Sequence, residues 1–194
     1  CDIPDCDEKF KSKSALTQHI RTRHTEQYAA RRKVQEEKVR TMLVANNFQE
    51  WHASDAMPPI GYFKREKRID FSCADVYAST KYARIDFVIA MENGTGYFFL
   101  EVDENQHNYG YDASISCDMK RMSQVNESLA MECLEQSRDI PFIYWLRYNP
   151  NAWHVNGKGQ HVPKEVREKR LVNWIKNFRT ESYTGNMRVG YAFY

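Results

Sequence analysis

The sequence predicts an α/β domain built on a mixed sheet flanked by helices, with a small hairpin-and-helix module at its N-terminus. Three observations predict this. Two β-forming runs, residues 83–91 and 97–103, are joined by Asn93-Gly94-Thr95-Gly96, a strong hairpin turn. Ile115, Met119, Met122, Val125 and Leu129 recur at helical spacing through residues 115–136. Finally, Cys1, Cys6, His19 and His24 lie close together at the start of the chain.

The elements follow in order. Residues 1–24 read as a hairpin and a helix, and a helical pattern continues over 26–48, with Val34, Val39, Met42 and Leu43 on its apolar side. Asn46-Asn47 ends it, and Met57-Pro58-Pro59 marks a loop. Residues 69–77 are rich in β-formers but interrupted. The hairpin and the long helix come next, then a compact apolar strand at 141–148. An Asn149-Pro150-Asn151 turn, a helix over 163–178 and a closing strand at 189–194 complete the chain. Helix, hairpin, helix, strand, helix, strand is the order of a mixed α/β core. The 194 residues accommodate one ordinary domain and one small module. The boundaries expected are 1–25 for the module, 26–48 for a connecting basic helix and 49–194 for the α/β domain.

Composition narrows the class. Hydrophobic content of 42% suffices for a packed core, while no apolar run approaches the roughly 20 residues that cross a membrane. The chain lacks a secretory signal pattern and opens on Cys1, which suggests a piece of a longer protein. Cys73, Cys117 and Cys133 are an odd remainder that fits reduced thiols, hence a nuclear or cytosolic compartment. Net charge is only +2, but its distribution is uneven. Basic residues crowd positions 9–40, Lys64 to Arg68, and 158–170, whereas residues 101–118 carry carboxylates and no Lys or Arg. Basic flanks around an acidic centre suit a protein that grips phosphates and holds a cation among them.

The N-terminal spacing, Cys1-x4-Cys6-x12-His19-x4-His24, is that of a two-Cys, two-His zinc finger. Cysteines from a hairpin and histidines from one helix face give zinc a tetrahedron of soft and borderline ligands. Phe10 and Leu16 supply the miniature core, which holds together only with the metal. With Leu16 as the fourth helical residue, Ser12, Ala15 and Gln18 occupy the base-facing positions, and only Gln18 is a good base reader. Ser12, Gln18, Arg21, Arg31, Arg32 and Lys33 are the residues expected to meet nucleic acid. A protein-binding or structural finger is the competing role.

The hairpin holds the second constellation. A two-residue Gly94-Thr95 loop would pair Asn93 with Gly96 and set Asp86 opposite Asp103. Glu101 would share that face, roughly 7 Å diagonally from Asp86. Phe98, Leu100 and Val102 would then point into the core. Carboxylates this close repel unless a cation neutralises them, and an oxygen-rich set suits magnesium or manganese. Exposed strand carboxylates and a strand-end turn at Gln106-His107 are the competing reading. On the following helix, Asp118 and Arg121 stand three apart, where an intrahelical ion pair is expected.

The run Arg84-Ile85-Asp86-Phe87, the segment Glu101-Val102-Asp103-x-x-Gln106-His107 and the later Asp118-x-x-Arg121 resemble the PD-(D/E)XK nucleases. They look most like the branch related to very-short-patch-repair endonucleases. The resemblance covers residues 37–148 and implies a restriction-endonuclease-like mixed sheet. It also implies divalent-metal-dependent cleavage of phosphodiesters in DNA, with RNA as the alternative substrate. Asp86 and Glu101 would be metal ligands, with the Val102 carbonyl another, and one or two magnesium or manganese ions would join the one structural zinc. Glu37 would match the extra acidic residue on the helix before the sheet. Asp103 departs from the pattern, standing where a lysine is usual; it would bind metal, with His107 taking over proton transfer. A non-catalytic nucleic-acid-binding module on a degenerate nuclease fold and a finger-mediated protein adaptor are the rival functions.

Overall fold

The computed structural model describes residues 9–23, 33–71, 81–103, 114–155, 158–180 and 185–194. Two compact units divide the chain, Cys1–Arg40 and Thr41–Tyr194. In the first, helix α1 spans Lys13–Arg23. Ser12 caps it, its Oγ accepting the Ala15 N–H at 3.2 Å, which satisfies one of the amides a helix start leaves open. Leu16 and His19 are half-buried while the positions around them are exposed.

Helix α2, Val34–Ala45, ends on a left-handed Asn47 at φ 68°. The Phe48 N–H reaches back to the Leu43 carbonyl and the Asn47 N–H to that of Val44, a Schellman closure made with asparagine in place of glycine. The helical pattern expected over 26–48 is thus a helix from residue 34, and residues 24–32 lie outside the described part.

The second unit is a six-stranded mixed sheet in the order β1-β2-β3-β4-β5-β8. Its strands are β1 Gln49–Glu50, β2 Tyr62–Asp70, β3 Tyr82–Ala90, β4 Gly96–Val102, β5 Phe142–Tyr148 and β8 Met187–Ala192. β2, β3 and β4 run antiparallel in succession; β4–β5 and β5–β8 are parallel, as is the short β1–β2 pair. β6 (Trp153–Val155) and β7 (Lys158–Gln160) form a separate small hairpin.

Alternation along β4 and β5 determines which helix covers which face. Phe99 and Trp145 are adjacent partners in a T-shaped contact, and they join Val88, Ile143 and the Met122, Val125 and Leu129 side chains of helix α3, Ser114–Glu135, in one core. Trp145 Nε1 also donates to Asn126 Oδ1 at 3.0 Å, tying strand to helix. Phe98 and Tyr144 point the other way and stack at 5.1 Å, and Phe178 of helix α4, Lys164–Thr180, stacks on Tyr144 at 4.2 Å. Both faces are therefore covered. Each fully buried Phe or Leu here contributes about 1.5–3 kcal/mol. That corrects the expectation of one core face on β4: Phe99 is as fully buried as Phe98 and Leu100, and Glu101 is buried as well.

Two further corrections concern β2 and the hairpin loop. Lys64 to Arg68 lie within a strand rather than ahead of one. The Lys64 ammonium donates to the Ser54 carbonyl at 2.6 Å and the Lys67 ammonium to the Asp55 carbonyl, so these charges are spent on holding the preceding loop. Arg68 lies over the Tyr82 ring and pairs with Asp70 at 2.6 Å. The β3–β4 connection has four loop residues instead of two. Met91 N–H donates to the Gly96 carbonyl, Gly94 sits at φ 71°, and Asn93 Oδ1 accepts the Thr95 N–H at 3.0 Å. Gly96 is required for a different reason: a Cβ there would meet the Phe142 carbonyl oxygen at 2.1 Å, where β4 and β5 begin to pair.

Candidate metal centre

The four-residue loop shifts the hairpin register by two, so the ladder runs Ala90–Tyr97 to Phe87–Leu100. Continued one step past that ladder, the register sets Asp86 against Glu101 rather than against Asp103 as expected. A shift of two keeps every side chain on its face. Asp86 and Glu101 thus remain together, and more directly than expected.

The same row extends to both sides. On β2, Arg65 and Lys67 pair with Phe87 and Ile85, which brings Glu66 opposite Asp86. Carboxylate oxygens of Glu66 and Asp86 lie within 4.8 Å of each other. Glu66 holds φ at 50°, a left-handed conformation that a non-glycine residue in mid-strand keeps only when its surroundings impose it. On β5, Arg147 is the partner of Glu101, and on β8 Tyr191 is the partner of Arg147. One line across five strands therefore reads Glu66, Asp86, Glu101, Arg147, Tyr191. Glu66 was not legible in the sequence: a lone glutamate within Lys64-Arg65-Glu66-Lys67-Arg68 looks like solvated surface charge.

Each carboxylate has a distinct environment. Glu101 is 6% exposed, and burial pushes its carboxyl well above the usual range; Arg121 opposes this, while Asp86 and Asp103 add to it. Burial likewise pushes Asp86 up to about 6, although its Oδ2 accepts the Val102 N–H at 2.7 Å and Arg121 favours its charge; Glu66 and Asp103 push it higher. Val102, whose carbonyl was expected as a metal ligand, contributes its N–H to Asp86.

Asp103 is committed elsewhere. Its two oxygens accept Arg147 Nη2 at 2.5 Å and Nε at 2.8 Å, and the Tyr194 hydroxyl donates to the same Oδ2. Arg147 Nη1 also pairs with Asp118 at 2.7 Å. Burial works against charge on Arg147, but its hydrogen bonds and attraction to Asp103, with Asp118 behind it, keep it fully cationic. The expected Asp118–Arg121 ion pair is replaced by two longer-range ones, Asp118 with Arg147 and Arg121 with Glu101 at 3.3 Å. Glu37 bonds Arg40 at 2.8 Å and its side chain is half exposed; its neighbour Glu36 is the buried one. His107 lies outside the described residues, as do Arg31 and Arg32.

A set of hard oxygens, partly desolvated and mutually repelling, fits a divalent cation better than it fits water. The charge cost yields a prediction with a definite sign. A carboxyl whose folded pKa is raised contributes stability that is complete below its unfolded value and is lost as pH rises through its folded value. For Asp86, raised from 3.8 to about 6, ionisation costs on the order of 3 kcal/mol at neutral pH. In chelator, Asp86→Asn is therefore expected to melt above wild type at pH 7.5, with the gap roughly halved at pH 5 and closed only below about pH 4; manganese should raise the wild-type melting temperature at pH 7.5. A pH-independent gap with no response to manganese would show that the row carries no such strain.

Of the first unit's expected zinc ligands, Cys1, Cys6 and His24 lie outside the described residues. His19 packs its ring against Phe10 at a centroid distance of 4.5 Å, and Leu16 is half-buried one turn back on the same helix side. Ser12, Gln18, Arg21 and Lys33 are all exposed. Of the four expected zinc ligands, His19 alone lies among the described residues.

No family model, curated protein or solved structure matches the chain. No described helix is long and apolar enough to cross a membrane.

Proposed function

We propose that this chain is a divalent-metal-dependent endonuclease that hydrolyses phosphodiester bonds in DNA, with an N-terminal zinc finger aiding its grip on nucleic acid. The observation that carries the reading is a row of carboxylates on three adjacent strands: Glu66 and Asp86 with oxygens within 4.8 Å of each other, and Glu101 at the next position of the register, where Asp86 acts on its charge. Support also comes from the order of elements. A helix, three antiparallel strands, a helix and a strand parallel to the third is compatible with the restriction-endonuclease-like sheet that the Asp86 and Glu101 motifs resemble. Asp86 and Glu101 would hold the ion, and Glu66 would complete the oxygen set. A bound magnesium or manganese ion would lower the pKa of a coordinated water and offset charge on the leaving oxygen. The chain's own contribution is to fix the ligands on a rigid, doubly covered sheet, where a loss of 1 Å in position would be costly.

The test is incubation of supercoiled plasmid with the protein and magnesium or manganese, with a chelator control. Nicked or linear product that requires the ion supports the reading. The second reading, a non-catalytic nucleic-acid-binding module, is favoured by Asp103, which stands at the lysine position and is bound to Arg147. Protein that binds DNA and RNA but cuts neither with either ion would establish it.

For the finger, Cys6→Ser is expected to lower zinc per chain by about one equivalent, because a tetrahedral site that loses one thiolate ligand loses its fold with it. Equal zinc in both proteins by elemental analysis would remove the finger from the proposal.

A further inference from the structure

The position two residues after Glu101 holds Asp103, so the lysine usual there in the resembled nucleases contributes no charge. Two guanidinium groups stand close enough to substitute. Arg147 is directly paired across the sheet with Glu101, but it is met by two carboxylates, Asp103 at 2.5 and 2.8 Å and Asp118 at 2.7 Å, and its side chain is only 6% exposed. Its charge is more than neutralised, and solvent barely reaches it.

Arg121 differs on each count. It rises from α3, its side chain is 37% exposed, and among the described residues the carboxylate it pairs with is Glu101, Oε1 at 3.3 Å. The same Nη2 donates to the Arg84 carbonyl at 2.5 Å, which anchors the guanidinium beside β3, two residues from Asp86. Among the described residues, its Nη1 and Nε make no hydrogen bond, so one edge of the planar fork is held while the rest stays open to a ligand. Such a fork matches phosphate oxygens two at a time, which a backbone-anchored guanidinium does at little further entropic cost.

We propose that Arg121, supplied by the helix rather than the strand, provides the positive charge that meets the scissile phosphate beside Asp86 and Glu101. This rests on the nuclease reading. In the hydrolysis, a water oxygen bonds to phosphorus as the bond to the leaving oxygen breaks, and the proton lost by the water is balanced by one gained on the leaving oxygen. Arg121 exchanges no proton, since guanidinium stays charged throughout the working range. It stabilises charge on the non-bridging oxygens, and therefore acts on the barrier more than on substrate affinity.

The test compares wild type, Arg121→Gln and Arg121→Lys in three measurements: cleavage kinetics at saturating manganese, manganese affinity of the DNA-free protein by calorimetry, and thermal melting. Arg121→Gln is expected to lower kcat by about 100-fold or more with KM changed by no more than a few-fold. Arg121→Lys, which keeps the charge but not the fork, should recover a substantial part of that loss. Manganese should bind the Gln variant as tightly as wild type, or several-fold more tightly, because a cation has been removed from beside its ligands. A Gln variant with wild-type kcat overturns the inference while leaving the nuclease reading intact. A loss of cleavage that tracks weakened manganese binding also overturns it, and assigns Arg121 only to holding Glu101. Wild-type protein that cuts nothing removes both together.

Discussion

Asp86→Ala and Glu101→Ala are each expected to lower metal-dependent cleavage by roughly 1,000-fold or more, the scale of losing charge stabilisation at the reacting phosphate. DNA binding measured in chelator should persist or tighten, because each substitution removes a negative charge from the surface the phosphates approach. Glu66→Gln should fall between these variants and wild type: it keeps an oxygen ligand but loses charge, on a strand whose backbone already holds it at φ 50°. Steady-state cleavage of plasmid, with filter binding in parallel, checks all three. An Asp86→Ala protein that cuts as well as wild type would move the chemistry away from this row altogether.

Asp103 is expected to matter through stability rather than through metal. Its carboxylate and the Arg147 guanidinium form a two-bond pair with side chains only 15% and 6% exposed, joined by Asp118 and the Tyr194 hydroxyl. Removing one member of such a pair leaves the other charge buried, at a cost of about 3–5 kcal/mol. Asp103→Ala and Arg147→Met should therefore each lower the melting temperature by roughly 10 °C in a domain of this size. Asp103→Lys should be worse than Asp103→Ala, since it sets a second cation against Arg147. The measurement is thermal unfolding in chelator, with manganese affinity alongside. Were Asp103 a metal ligand instead, as expected from its departure from the motif, Asp103→Ala would leave the metal-free melting temperature unchanged and weaken manganese binding.

These expectations differ from what the motif alone supports because ion pairs form by proximity in space. Asp118 and Arg121 are three residues apart on one helix, yet each finds a partner on the sheet beneath. The helix face is pressed against β4 and β5 by Met122, Val125 and Leu129, so the neighbouring polar positions meet sheet residues more closely than they meet each other.

The local patterns of the sequence by themselves determined the long helix, the apolar β5 strand, the β3–β4 hairpin and the shared face of Asp86 and Glu101. Each of these depends on periodicity along a single segment, and face assignment survives a register error of two. Tertiary structure alone decided the rest. The hairpin register depends on how a four-residue loop closes, with Asn93 bonded to Thr95 and Gly96 pressed against the Phe142 carbonyl. β2 is a strand because the sheet offers it a partner and the loop carbonyls of Ser54 and Asp55 satisfy its lysines, although nothing in its charge-rich run has a strand's alternation. Glu66, Arg121 and Arg147 enter the site from three different elements, and the distances that bring them to Asp86 and Glu101 exist only once those elements are packed.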